Sequence, residues 1–189
     1  MRAVLVEAPE ALLEERRRLG HDVFDEMWEG VLHMVPPPGG PHQRLATCLA
    51  RAVGPAADRR GLLISAETGL FAAADDYRVP DLAVYRPENA SDRGIDDQAE
   101  LVVELRSPRD ESYEKLDWYA ARGVNEVFVI HPHTRVVERY ALRGGAYRLA
   151  EANGSGHIAS DVLGVRLSTV ANPDGPRLRI DDEGTVTDC

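Results

Sequence analysis

Apolar positions along the chain repeat with two periods. Residues 9–19 read as a short helix. Pro9 suits its first turn, Glu10 favours its N-terminus, Arg16, Arg17 and Arg18 favour its end, and Gly20 can close it. The run VLHMV at 31–35 reads as a strand, stopped by PPPGGP, a break that no helix or central strand crosses. From about His42 to about Arg59, Leu45, Cys48, Leu49, Ala52, Val53 and Ala56 recur at helical spacing and predict a helix with one apolar face. Beyond Gly61 the period shortens. LLIS, GLFAA and YRVPDLAVY are β-type runs separated by turn residues, and PENASDRGIDDQ is a polar loop.

LVVELR predicts a strand buried on both faces. SPRDESYEKLDWYAARGV follows as a helix, with Ser107 as cap, Pro108 at the first position and Asp110 completing a capping-box-like pattern. Leu116, Tyr119 and Ala120 form its apolar stripe and Gly123 ends it. EVFVIH is a second doubly buried strand, and RVVERYAL and AYRLA flank Arg143-Gly144-Gly145 as a hairpin. VLGVRLS, Asn172-Pro173-Asp174-Gly175 and an acidic end read as one strand and a partly loose tail. With no internal repeat or linker, the pattern predicts a single α/β domain over residues 1–189. It comprises an N-terminal helix at about 9–19, a core over about 25–142 and a β-rich extension over about 143–189.

Composition narrows this little, because 43% hydrophobic and 29% charged residues are ordinary for a globular domain. Charge changes more. Twenty-two Lys and Arg against 32 Asp and Glu give a net charge of −10, which argues against a protein that coats nucleic acid non-specifically. A nuclease with a local basic cleft, or one that uses a divalent metal, is not excluded. Cys48 and Cys189 lie far apart and suggest neither metal-ligand spacing nor a disulfide framework, so a reducing cytoplasm is the expectation. The N-terminus has only a short apolar run before charges begin, unlike a secretory signal or a membrane span.

Two carboxylates stand on apolar strands: Asp81 in RVPDLAVY and Glu104 in LVVELRSP. A buried carboxylate needs compensation by a salt bridge, a raised pKa or a metal ion. If the two strands are neighbours, the acids meet at one end of a sheet, where a hard divalent cation would relieve their repulsion. Arg106 lies two residues past Glu104, on the same strand face, and Lys115 on the following helix can swing back to the same place. Two acids, one or two bases and a metal suit activation of water beside a phosphodiester.

The element order, Pro80-Asp81 and Glu104-x-Arg106 resemble the PD-(D/E)XK restriction-endonuclease-like superfamily, and more closely its bacterial Uma-type family. The resemblance runs from about residue 25 to about residue 142. It is carried by W-x-G-V at Trp28–Val31, a proline-rich break followed by His42-Gln43, VPDLAV, VVELRSP, and EKL-x-x-YA-x-xGV-x-E from Glu114 to Glu126. It implies a restriction-endonuclease-like core, a mixed central β-sheet flanked by helices with extra β-hairpin elements. It further implies an endonuclease that hydrolyses phosphodiester bonds, with DNA the expected substrate and a homodimer the expected assembly. Asp81 and Glu104 would ligate Mg2+ or Mn2+, with the carbonyl of Leu105 as a further ligand. The superfamily's lysine normally stands where this chain has Arg106, which cannot act as a base but can hold a phosphate. Lys115 in EKL matches the lysine's displaced position and would orient the attacking water. No acid occupies His42 or Gln43 at the start of the long helix, which favours one metal over two, and Glu67 is a possible further acid. His131 replaces an aspartate that the family often has before the proline at the end of the next strand.

Plainer readings stand beside these. Asp81 and Glu104 could pair with Arg78 and Arg106, and Lys115 could pair with Glu111 on a solvated helix face. His131-x-His133 lacks a third ligand and reads as a turn. His42 reads as a helix-start residue, Trp28 and Trp118 as core or interface aromatics, and residues 14–18 as a solvated face. A catalytically silent nuclease fold that serves as a binding or assembly module is the competing function.

Overall fold

The computed structural model describes residues 3–20, 22–106 and 111–189. Among the described residues, three α-helices and three sheets make up a mixed α/β architecture that is mostly β. The helices are α1 (Glu10–Leu19), α2 (Gly40–Asp58) and α3 (Leu116–Ala121). Helical cover of the sheets is therefore slighter than the expected flanking layers.

The central sheet has six strands in the order Ala146–Leu149, Val137–Arg143, Glu126–Ile130, Leu101–Leu105, Leu82–Tyr85 and Leu63–Ala66. Leu101–Leu105 runs parallel to Glu126–Ile130, and all other pairs are antiparallel, so the sheet is mixed as expected. All five residues of both parallel strands are buried, as their unbroken apolar runs imply. Alternation sends Leu101, Val103 and Leu105 to one face, where Leu45, Leu49 and Val53 of α2 pack with Leu167, Leu178 and Ile180 of the C-terminal sheet. Val102 joins Tyr119 of α3, Leu70 and Ile95 on the other face. Gly144 and Gly145 both have positive φ, 58° and 82°, as a two-residue hairpin turn matching the right-handed twist of its strands requires.

A seven-stranded sheet holds Ala3–Leu5, Val31–Met34, Glu26–Trp28, Asp76–Arg78, Leu70–Ala73, Gly94–Asp96 and Ala90–Ser91, in that order. YRVPDLAVY is thus not one strand. It ends in this sheet at Arg78 and re-enters structure in the central sheet at Leu82. The break falls at Val79-Pro80, where proline has no N–H for a ladder and restricts the residue before it. The loop PENASDRGIDDQ also carries structure, a turn of 3-10 helix at Pro87–Asn89 and the two short strands that end this sheet.

The C-terminal region is not loose. Ile158–Ala159, Arg166–Val170, Arg177–Asp182 and Thr185–Asp188 form an antiparallel meander. Its last residue closes a disulfide from Cys189 to Cys48 on α2, with Cα atoms 5.7 Å apart. This corrects the reading of the two cysteines as unrelated. A separation of 141 residues carries no pattern, and only the packing of the meander against α2 brings the thiols together. The expected helix from 107 to 124 shrinks to α3, because residues 112–115 form turns rather than helix. The capping pattern on Ser107, Pro108 and Asp110 lies outside the described residues. Gly123 ends α3 as expected, at φ 70°. Among the described residues, no helix is long and apolar enough to cross a membrane.

Candidate active site

The crossing at Val79-Pro80 delivers Asp81 to the central sheet one residue before Leu82. Leu82 pairs with Val103, so the next step of the antiparallel register sets Asp81 opposite Glu104. The Leu105 N–H donates to Asp81 Oδ2 at 2.5 Å. Leu105 therefore meets Asp81 through its amide. Ala66 pairs with Leu82 on the other side, and the Glu67 N–H donates to the Asp81 carbonyl at 3.2 Å. Glu67, Asp81 and Glu104 thus fall in one row across three adjacent strands. The N-terminus of α2 reaches Asp81 and Glu67 of this row. His42 Nε2 lies 2.7 Å from Asp81 Oδ1, and the Gln43 amide donates to Glu67 Oε1. The hydrogen bond to Asp81 raises the His42 pKa against the effect of burial, helped by the charges of Asp81, Glu67 and Glu104. Glu67 sits at φ 49°, a left-handed conformation that a non-glycine residue adopts at some cost and that recurs at functional sites.

Glu104 lies on the opposite face from Leu105, with its side chain 5% exposed. Lys115 Nζ reaches its two oxygens at 3.1 and 3.3 Å, and the Tyr119 hydroxyl donates to Oε1 at 2.6 Å. Lys115 immediately precedes α3, and Tyr119 is four residues on. The two side chains therefore lie on one helix face, directed at the same carboxylate. Lys115 also contacts Glu26 Oε1, at 2.7 Å. Glu26 comes from the seven-stranded sheet and accepts from the Val79 N–H at 2.9 Å and the Trp28 indole at 2.8 Å.

The shifts of this ion pair are not mirror images, and the surroundings explain why. Burial pushes Glu104 up to about 7; Lys115 opposes this, but the carboxylates of Asp81 and Glu26 add to it. Lys115 is penalised by the same burial, yet it faces Glu104 and Glu26 together with Asp81 beyond, and its pKa rises. One ammonium is thus shared among more than one carboxylate. Tyr119 is pushed well above its ordinary value by burial and by Glu104 and Glu26, so it stays a hydroxyl donor.

Neither proposed arginine partner takes up the acids. Arg78 is clamped between the Trp28 and Trp118 rings, 4.4 and 4.6 Å from their centroids, and binds Asp76 at 2.9 Å. Arg106 lies over the Tyr113 ring at 5.0 Å; among the described residues no carboxylate is within salt-bridge distance of it and its buried Nε has no partner. Lys115 turns inward to Glu26 and Glu104, while Glu111 receives His33 at 2.8 Å. His131 pairs with Glu138 at 2.9 Å, in keeping with the turn reading of His131-x-His133.

Glu26 and Tyr119 were not singled out as site residues from the sequence. Tyr119 had a signal in its spacing from Lys115. Lys115 had another, being the one lysine of a chain whose other basic side chains are all arginine or histidine. Glu26 had none, because it reaches the site from another sheet.

The donor set suits a hard cation in chemistry and charge. Oxygen donors predominate, and Glu26, Glu67, Asp81 and Glu104 outnumber Lys115 and His42. It is not a closed cage: among the described residues no three His, Cys, Asp or Glu side chains cluster as a ready metal site.

No curated protein matches the chain. The structure is similar to a crystal structure described as "a putative nuclease belonging to DUF820" from Anabaena variabilis ATCC 29413. The TM-score is 0.59 at 16% sequence identity, over 74% of this chain and 83% of that one, which is a likeness of fold. The family model described as "Putative restriction endonuclease" matches residues 12–171, most of the chain and every site residue above, and the protein belongs to this Uma2 family.

Proposed function

We propose that the protein is a metal-dependent endonuclease that hydrolyses phosphodiester bonds in DNA. The observation that carries this reading is the convergence of Asp81, Glu104 and Lys115, from two strands and a helix start, on one end of the central sheet. Asp81 and Glu104 would hold Mg2+ or Mn2+, with the Leu105 carbonyl as a further ligand. The cation, when bound, supplies Lewis-acid stabilisation of phosphate charge. The chain's own groups supply the rest. His42 and the Leu105 amide fix the Asp81 carboxylate, and Tyr119 fixes Glu104. Lys115 stays protonated between its carboxylates, so it acts as a fixed positive charge that orients water and stabilises the transition state rather than as a base. Arg106, with no acid partner among the described residues, offers a planar fork to a phosphate. Cutting both strands of a duplex takes two such sites, which makes a homodimer the expected working form.

The test is cleavage of supercoiled plasmid with Mn2+, comparing wild type with Asp81→Ala and Glu104→Ala, each checked for folding by circular dichroism. Nicking by the wild type that both variants lose is the expected result. Activity retained in a folded Glu104→Ala variant overturns the assignment. One observation favours a second reading, a silent module: Glu104 already has an internal cation in Lys115. Neither cleavage nor Mn2+ binding by the wild type would establish that reading instead.

A further inference from the structure

We propose that Glu26 is a positioning residue of this site, holding the Lys115 ammonium so that Glu104 is free to take a cation. The inference rests on the metal-dependent reading above. Lys115 Nζ is closer to Glu26, at 2.7 Å, than to either oxygen of Glu104, at 3.1 and 3.3 Å. Glu26 is itself pinned. Its Oε1 also accepts the Val79 N–H and its Oε2 the Trp28 indole, and its side chain is 3% exposed. Trp28 is fixed in turn, stacked on His33 at 4.1 Å with the Arg78 guanidinium over it. Glu26 is therefore a rigid anchor, whereas Glu104 is held on its other side by one hydroxyl.

The chemistry of the cation matters here. A lysine ammonium is a compact charge with three donors, and it can serve two acids at once. With Glu26 in place, arrival of a divalent ion at Glu104 leaves Lys115 in a neutral pair, which limits repulsion between the two cations. Without Glu26, Glu104 is the only carboxylate within salt-bridge distance of Lys115 among the described residues. The ammonium then competes with the metal for the same oxygens.

Calorimetric titration with Mn2+ tests this on four full-length proteins: wild type, Glu26→Gln, Lys115→Met and the double variant. Glu26→Gln is expected to weaken Mn2+ binding by about tenfold, the size usual for residues that orient a metal ligand. In the Lys115→Met background the same change should alter affinity by no more than about twofold, since Glu26 then has nothing to hold. Equal losses in both backgrounds, or wild-type affinity in Glu26→Gln, would overturn the inference. If Glu26→Gln does not fold, Glu26→Asp keeps the charge but draws it back from Lys115. Weakened binding there supports the inference and unchanged binding refutes it. Absence of Mn2+ binding by the wild type is a different result, since it removes the metal-dependent reading itself and this inference with it.

Discussion

Glu104 makes the stability of the fold depend on pH in a way that can be worked from its surroundings. Burial of the side chain is the main cause that lifts its pKa from 4.5 to about 7; Lys115 and the Tyr119 hydroxyl oppose the rise, and the carboxylates of Asp81 and Glu26 add to it. A group whose pKa is higher in the folded state contributes stability in full below its unfolded value and loses it as pH rises through the folded value. Between those pH values the folded protein binds the extra proton. At about 1.4 kcal/mol per pH unit, the contribution lost by pH 8 is on the order of 3 kcal/mol. Glu104→Gln removes the titration, while its amide oxygen still accepts from Tyr119. Urea unfolding, followed by the fluorescence of Trp28 and Trp118, should therefore show wild type losing stability relative to Glu104→Gln from pH 5 to pH 8. Histidines and other acids titrate in both proteins, so the difference between them isolates this group. Curves that run parallel across that range would refute the reasoning. A difference that widens towards low pH would mean that Lys115 outweighs desolvation and that Glu104 is an ordinary stabilising ion pair.

Two further predictions concern the frame of the site. The Cys48–Cys189 disulfide closes a loop of 141 residues, so loop-closure entropy sets its contribution at about 5 kcal/mol; Cys189→Ser should lower the urea midpoint accordingly, and ready alkylation of both thiols in the native, unreduced protein would contradict the bond. Glu126, buried at the joint between the central and C-terminal sheets, accepts from Arg139, Ser160 and the Asp161 amide, each at 2.6 Å. Glu126→Ala should destabilise the protein by about 3–5 kcal/mol, because it strips a buried arginine of one carboxylate, and a loss below about 1 kcal/mol would show that Asp161 alone suffices.

Much of the fold and part of the candidate site follow from local rules. Near-continuous apolar runs marked Leu101–Leu105 and Glu126–Ile130 as doubly buried strands. Helical spacing marked α2, and paired glycines marked the Gly144-Gly145 turn. The same rules set Asp81 and Glu104 on strands that prove adjacent, and Arg106 two residues beyond Glu104. Local rules failed where local preference was weak or the chain changed partners. Val79-Pro80 reads as the interior of one strand but hands the chain from one sheet to another. The C-terminal segments read as loose because each is short and turn-rich, and they gain order only by pairing with one another and packing on α2. The compensation of buried charge was the least legible. Glu104 was bound to have partners, because an isolated charge in an apolar strand is too costly, and the sequence left salt bridge, raised pKa and metal all open. The folded chain answers with a lysine and a tyrosine from the next helix. It adds a second carboxylate, Glu26, from a strand that precedes Glu104 by 78 residues, and it leaves the nearby Arg106 to a tyrosine ring. Strand and helix periods act over a few residues and are written in the order of the amino acids. Electrostatic pairing acts over a few ångströms, and which groups come that close is decided only when the sheets and α2 pack.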